Sequence, residues 1–325
     1  MANYLVTGAA GFIGYRVAEL LIQDGHSVVG IDNLCDAYDV RLKDWRLARL
    51  NKLTGFEFHL LDVEDRHGLD KIFDSHKRFD GVINLAARAG VRQSVVNPWV
   101  YVDTNITGTL NLLEMSRKYD VPKFVLASTS SLYGANPPLP TPEDADSDHP
   151  LQAYAASKKG AEALCHAYHH LYGLDVTVFR YFTVYGPAGR PDMVMFRFAQ
   201  WIAEGRPVQI TGNGHQSRGF TYLDDIARGT ILGLKPLGYE LINLGGHEVV
   251  DMIKLVTMIE ELTGRKAKVE FIPAHPADVQ ANWANVEKAK KLLGWVPRVE
   301  LKEGVKNLVD WYLEERDWAK DVLTP

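Results

Sequence analysis

Tyr4-Leu5-Val6-Thr7-Gly8-Ala9-Ala10-Gly11-Phe12-Ile13-Gly14 joins a short apolar run to a segment whose apolar residues recur at helical spacing as far as Gln23, where Asp24-Gly25 stops it. The join is GxxGxxG at a strand-to-helix turn. Glycines there let the backbone approach a pyrophosphate, whose charge then rests on the N–H groups and positive dipole end of the following helix. Val28-Val29-Gly30-Ile31 follows as a second buried strand, closed by Asp32, 18 residues past Gly14. A carboxylate at that place accepts hydrogen bonds from both ribose hydroxyls and repels a 2′-phosphate, which favours NAD over NADP. Alone, the glycine turn would serve equally to pack a helix on a strand. With strand, helix and acid in register, the stretch predicts dinucleotide binding.

The alternation continues outward as strand Phe56 to Leu61, helix Asp65 to Ser75, strand Gly81 to Leu85 and a long helix Trp99 to Lys118. Then come strand Phe124 to Ala127, helix Ala153 to Tyr172 and strand Asp175 to Phe179. Repeated βαβ units predict an α/β chain with a doubly wound parallel sheet of Rossmann type. After Arg180 the pattern breaks into short Gly- and Pro-rich pieces through residue 220, returns weakly at Ile226 to Leu232 and Glu240 to Leu244, and becomes helical from Val250. Two units are expected. Residues 1–180 plus about 221–248 would bind the dinucleotide; residues 181–220 plus 249–325 would form a smaller, interleaved α/β substrate domain. The Pro-rich stretch Asn136 to Pro142 reads as a surface loop.

Composition narrows the function classes. Among 325 residues, 36 Lys and Arg stand against 41 Asp and Glu, so nothing draws the chain to nucleic acid or to an anionic membrane. Cys35 and Cys165 are too few for a disulfide framework or a thiolate zinc site, which fits a reducing compartment. No apolar run approaches the roughly 18 residues of a membrane span, and the first residues lack the basic stretch and cleavage site of a signal peptide. A soluble cytoplasmic protein is expected. His166 and His170 share a helix face but lack an evident third ligand, so no metal is expected.

Tyr154 and Lys158 are four apart on one helix, hence on one face. With fourteen tyrosines in the chain, one such pair is expected by chance. Ser128-Thr129-Ser130-Ser131 adds weight: it lies just past the carboxyl end of a strand, the edge where ligands bind in an open α/β sheet. An ammonium beside a phenol, plus a positive nicotinamide ring, lowers the tyrosine pKa toward neutrality and makes it a usable base.

With these residues assembled, the chain resembles, over nearly its whole length, the extended short-chain dehydrogenase/reductase family. Asp62-Val63 and Asn84-Leu85-Ala86-Ala87-Arg88-Ala89-Gly90 are similar to elements that the family places at the adenine and beside the cofactor. The resemblance implies Tyr154 as catalytic base, Lys158 on the nicotinamide ribose and Thr129 on the substrate oxygen. It implies an NAD site formed by Gly8, Gly11, Phe12, Ile13, Gly14, Asp32, Asn33, Asp62, Val63, Leu85, Ala86, Ala87 and Asn105, with Tyr154 and Lys158. It also implies a homodimer in which the 99–118 and 153–172 helices form a four-helix bundle, with Tyr101, Leu110, Leu113, Leu164 and Leu171 as apolar contacts.

Within the family, Ala89-Gly90-Val91-Arg92, Ser128 to Gly134 and Arg180 to Pro187 look like nucleotide-sugar epimerases. Thr183-Val184-Tyr185-Gly186-Pro187 with Gly189-Arg190-Pro191-Asp192-Met193 resembles the UDP-glucuronate 4-epimerases, whose hexose and decarboxylating relatives usually carry Asn where Thr183 stands. A C5 carboxylate needs short donors and a cation, which Ser130, Ser131, Thr183 and Arg190 can supply. The plain alternative is a strand-end hydroxyl at Thr183 and a solvated loop arginine at Arg190. Arg88, Arg92, Arg218 and Asp278 complete the substrate residues that the resemblance implies. Gly219 stands where Asp is usual, and His275 where Arg is usual, which puts one diphosphate contact in doubt. The implied activity is NAD-dependent 4-epimerisation of a UDP-sugar through a 4-keto intermediate, most closely UDP-glucuronate to UDP-galacturonate. UDP-glucose 4-epimerisation and decarboxylation of the uronate remain as alternatives. A 4,6-dehydratase is disfavoured because Ser130-Ser131 replace its Asp-Glu pair, and a non-catalytic NAD-binding module is disfavoured by intact Thr129, Tyr154 and Lys158.

Overall fold

The computed structural model describes residues 1–246, 248–273 and 281–324. The first half runs β1 (Asn3–Thr7), α1 (Phe12–Gln23), β2 (Ser27–Asp32), α2 (Arg41–Leu50), β3 (Phe56–Leu60), α3 (Arg66–His76) and β4 (Gly81–Asn84). It continues with α4 (Val91–Val96), α5 (Trp99–Tyr101), α6 (Gly108–Lys118), β5 (Lys123–Thr129), α7 (Ala153–Tyr172), β6 (Asp175–Tyr181) and β7 (Thr183–Tyr185). The second half holds α8 (Val194–Ala203), β8 (Pro207–Thr211), β9 (Ser217–Tyr222), α9 (Leu223–Leu232), β10 (Tyr239–Leu244), β11 (Glu248–Asp251) and α10 (Met252–Thr263). It closes with β12 (Lys268–Ile272), β13 (Ala281–Asn282), α11 (Glu287–Leu293), α12 (Leu301–Glu314) and α13 (Arg316–Ala319).

Seven parallel strands form one sheet in the order β10-β6-β5-β4-β1-β2-β3. Helices cover both faces, so β4 and β5 are buried along their whole length and read as nearly continuous apolar runs. Val6, Ile83, Val125 and Phe179 pack in one core, and Leu5, Val82, Phe124 and Val178 in the other. The chain winds one way from β1 to β3 and the other way from β4 onward. The crevice between the carboxyl ends of β1 and β4 is therefore the switch point where ligands bind in such sheets. The α/β doubly wound expectation is met.

A second set of elements sits beyond that edge. β9 pairs with β7, β11 and β13, β12 pairs with β8, and α8, α10 and α12 enclose a third core around Tyr185, Phe198, Leu255 and Val305. Ala289, Leu293 and Trp295 lie within the expected second unit, yet they pack in the sheet's core, where Trp295 donates its indole N–H to Asp225 O at 2.8 Å.

Three helices escape the sequence reading. In α2, half the residues are charged, which hides the apolar period; α4 lies in the unassigned stretch between Leu85 and Trp99, and α8 in one read as irregular. The predicted helix Trp99 to Lys118 is interrupted by a π-helical segment at Val102–Thr107. The wider turn shifts the register and turns Asn105 inward, where it is 1% exposed.

Candidate active site

The glycine turn fits a dinucleotide. Gly8 adopts a φ of +66°, and a Cβ there would lie 2.8 Å from Ala86 N; a Cβ on Gly14 would lie 2.0 Å from Gly8 O. Helix α1 has no side-chain N-cap and no acid in its first turn, so the N–H groups of Phe12, Ile13 and Gly14 are presented to an anion. Thr7 Oγ1 donates to Asn84 Oδ1 at 2.7 Å and accepts from Leu85 N and Ala86 N at 3.1 and 3.0 Å, fixing the opposite lip. Thr7 and Asn84 stand in quoted stretches but not among the expected site residues, because their roles rest on a contact between β1 and β4.

Beside the turn lies a groove lined by Gly8, Gly11, Asp32, Asn33, Asp62, Val63, Leu85, Ala86, Ala87 and Arg88. Asn33 Nδ2 donates to Asp62 Oδ2 at 2.6 Å, bridging the ends of β2 and β3. Asp32 is 7% exposed and accepts from Ala10 N at 3.2 Å, Leu34 N at 2.8 Å and Lys43 Nζ at 3.1 Å. Lys43, from the unanticipated helix α2, puts a buried cation beside Asp32 in the groove. Arg88, placed with the substrate by resemblance, lines this groove, with its guanidinium 3.4 Å from Cys35 Sγ. Asn105 holds Arg88 by both backbone groups, accepting from its N at 2.9 Å and donating to its O at 3.0 Å, and also donates to Ser157 Oγ at 2.9 Å.

Helix α7 carries Tyr154 and Lys158 toward the carboxyl end of β5. The Tyr154 phenol is raised above its usual pKa by burial, while a hydrogen bond with Thr129 and the charge of Arg190 pull it down. Lys158, 3% exposed, is lowered by burial to about 8, opposed by the charge of Glu162. One turn on, Glu162 accepts from Ser128 Oγ at 2.5 Å and from Arg180 Nε and Nη2 at 3.0 and 2.7 Å, a buried ion pair that anchors α7 to β5 and β6.

Thr129 ends β5, accepts from Ser131 N at 3.1 Å and lies 3.2 Å from Ser131 Oγ. Ser130 Oγ accepts from Asn282 Nδ2 at 3.1 Å, across 152 residues of chain. Thr183 opens β7, half-buried. Arg190 is not a solvated loop residue: it pairs with Asp192 through two hydrogen bonds of 3.0 and 2.5 Å, and its charge reaches Tyr154. Arg92 is exposed on α4, and Arg218 lies on β9 with Nη1 2.9 Å from Ser217 O. A Cβ on Gly219 would lie 2.6 Å from Gly246 O and 2.7 Å from Trp283 Cβ, so Trp283 fills the space that a side chain at 219 would take. His275 and Asp278 lie outside the described residues. His166 and His169 pack their rings on Tyr239 at 5.0 and 5.7 Å.

The model of the NAD dependent epimerase/dehydratase family matches residues 4–245. A UDP-glucuronate 4-epimerase of Thermodesulfobacterium geofontis (strain OPF15) is 55% identical over 323 residues, 99% of each chain. The crystal structure of UDP-glucuronic acid 4-epimerase from Bacillus cereus, in complex with UDP-glucuronic acid and NAD, superposes with a TM-score of 0.90 at 35% identity, covering 96% of this chain and 99% of that one. A UDP-glucose 4-epimerase from Thermotoga maritima with UDP-glucose gives 0.89 at 35% identity, covering 97% and 99%. A glycine turn backed by Thr7 and Asn84, a hydroxyl-bonded tyrosine and a family match through most of the chain agree: the protein belongs to the NAD dependent epimerase/dehydratase family.

Proposed function

We propose that this protein is a UDP-glucuronate 4-epimerase that holds NAD and interconverts UDP-glucuronate and UDP-galacturonate. The observation that carries the reading is the convergence of Thr129 and Arg190 on Tyr154, one turn before a buried Lys158. When bound, NAD supplies the hydride acceptor and donor for sugar C4 and a positive ring charge. Tyr154 Oη takes the O4 proton and later returns it. Thr129 holds O4, and the Lys158 ammonium stabilises the phenolate that burial disfavours. Ser130, Ser131, Thr183 and Arg190 grip the C5 carboxylate. Held so, the carboxylate keeps an orientation that resists loss of CO2 while the keto sugar turns its other face. Arg218 and Arg92 serve the diphosphate and Asp278 a ribose hydroxyl, whereas Arg88 belongs with the cofactor.

The chain is further assigned to a homodimer. Trp99, Leu110, Leu171 and Tyr172 expose apolar surface on the two helices concerned, and Val95 and Val96 extend it on α4. Tyr101 and Leu113, proposed from the sequence as contacts, are spent on the subunit's own interior, where burial leaves them 2% and 0% exposed. We keep the division into a dinucleotide unit and a substrate unit, with residues 287–295 moved to the former. Among the described residues, no helix is long and apolar enough to cross a membrane.

Purified protein incubated without added NAD, in turn with UDP-glucuronate, UDP-galacturonate and UDP-glucose, is followed by NMR. Interconversion of the two uronates, with UDP-glucose nearly inert, is expected. A UDP-pentose with CO2 as the main product, or equal turnover of UDP-glucose, overturns the reading.

A further inference from the structure

β3 is an edge strand of the large sheet, and Glu57 and His59 lie two residues apart on it, so both side chains project from one face. His76, the last residue of α3, comes to the same face from the neighbouring helix. Glu57 Oε1 is 2.6 Å from His59 Nε2, and Glu57 Oε2 is 3.2 Å from His76 Nε2. The three donor atoms fall within 4.8 Å of one another.

The His76 ring is held in place. Its Nδ1 is 2.9 Å from Ile72 O, and its face stacks on buried Phe79 with centroids 5.5 Å apart. A carbonyl only accepts, so Nδ1 carries a proton, and Nε2 faces the Glu57 carboxylate either with a second ring proton or with its lone pair. Ser75 Oγ, 3.1 Å from Nδ1, is itself directed at that carbonyl, 3.0 Å away, and leaves the assignment unchanged. In the second case two acceptors face each other, and a metal cation can take the place of the proton between them. Histidines that bind metals commonly adopt this arrangement, with one ring nitrogen on a backbone carbonyl and the other on the ion.

We propose that Glu57, His59 and His76 form a site for a divalent transition-metal ion, bound by two imidazole nitrogens and one carboxylate with a further position open to water. Magnesium and calcium prefer oxygen donors, whereas Zn2+ takes this mixed set. Donors around a tetrahedral zinc at about 2.0–2.1 Å sit about 3.3 Å apart, so the donor atoms, within 4.8 Å of one another, would draw together as Glu57 and His59 turn toward the fixed His76 ring. The ion would fasten the end of α3 to the edge strand whose continuation, Leu61-Asp62-Val63, lines the cofactor groove.

The test reads metal binding directly and so does not depend on the activity proposed above. The full chain, with whatever nucleotide it retains, is dialysed against EDTA and titrated with ZnCl2 by calorimetry. One Zn2+ per chain is expected, bound more tightly than about 100 μM. His59→Ala and His76→Ala are each expected to weaken it at least about tenfold, as is Glu57→Gln, which keeps the side chain's shape. A His166→Ala/His170→Ala double variant should bind like the parent. Zn2+ should raise the melting temperature of the parent and not of His76→Ala. No binding by the parent would mean that a proton alone occupies the cluster, and binding indifferent to the three substitutions would place the ion elsewhere; either overturns the proposal.

Discussion

Lys158, proposed to steady the Tyr154 phenolate, is buried at a cost in stability. Burial lowers its pKa to about 8 from the ordinary 10.5, so the unfolded chain binds more protons between those values. Stability therefore rises with pH across that window, and the cost is fully present below it. At about 1.4 kcal/mol per pKa unit, Lys158→Met should raise the unfolding free energy at pH 7 by about 3 kcal/mol while abolishing turnover. Urea denaturation at pH 7 and again near pH 10.5 checks it: the gain should shrink at the higher pH, and no gain at pH 7 would show the charge to be compensated already. Asp32 is the second case. Its carboxylate pairs with the Lys43 ammonium 3.1 Å away, so Asp32→Ala should weaken NAD about tenfold to a hundredfold and improve NADP, the freed cation attracting a 2′-phosphate. Fluorescence titration with both reduced nucleotides measures this; an unchanged preference would locate the discrimination elsewhere. Thr183→Val tests substrate choice. Loss of one charge-assisted hydrogen bond should lower kcat/KM for UDP-glucuronate by about tenfold to a hundredfold, leave the poor turnover of UDP-glucose nearly unchanged and release more CO2 per turnover. Equal loss on both sugars would make Thr183 structural.

At the scale of elements, the β9 strand explains a departure that looked like a defect. Gly219 is paired with Val249 on β11, and its missing side chain is replaced by Trp283 and the backbone of Gly246. Gly219→Asp, which introduces the residue that the family resemblance implies, should therefore destabilise rather than repair, by about 1–3 kcal/mol of overpacking. A melting temperature equal to the parent's would show that Trp283 can move aside. The regular elements were legible where a single period ran unbroken: helix α7 was predicted from Ala153 to Tyr172, and those are its ends. Helix α2 was illegible because its burial is polar. Arg46 is fully buried and donates to Ala10 O, Ala188 O and the Tyr38 hydroxyl, partners that no hydropathy pattern marks. The π-turn at Val102–Thr107 likewise follows the demands of Asn105 at the site, not a propensity visible in the residues themselves.

For the whole molecule, the proposed dimer can be tested on the exposed apolar side chains of α4, α5 and α7. Val96 is 86% exposed, Trp99 75% and Leu171 65%, apolar surface that the proposed dimer contact would cover. Trp99→Asp should therefore shift the protein from dimer to monomer in sedimentation at micromolar concentration, with the far-UV spectrum retained. A parent that sediments as a monomer would remove the dimer assignment.

The sequence by itself determined what depends on neighbours in the chain: the glycine turn, the alternation of strand and helix, the acid closing β2 and the Tyr154 to Lys158 spacing. Each is a local pattern, set by backbone geometry within one or two turns. Only the tertiary structure decided which distant groups meet. Lys43 reaches Asp32, Asn282 reaches Ser130 and Trp295 enters the core of the sheet, while Glu57, His59 and His76 gather at its edge. The reason is physical. Contacts between elements far apart in the chain obey packing and charge balance in three dimensions, and a buried Lys or Arg has the same local signature as a solvated one until its partner is placed beside it.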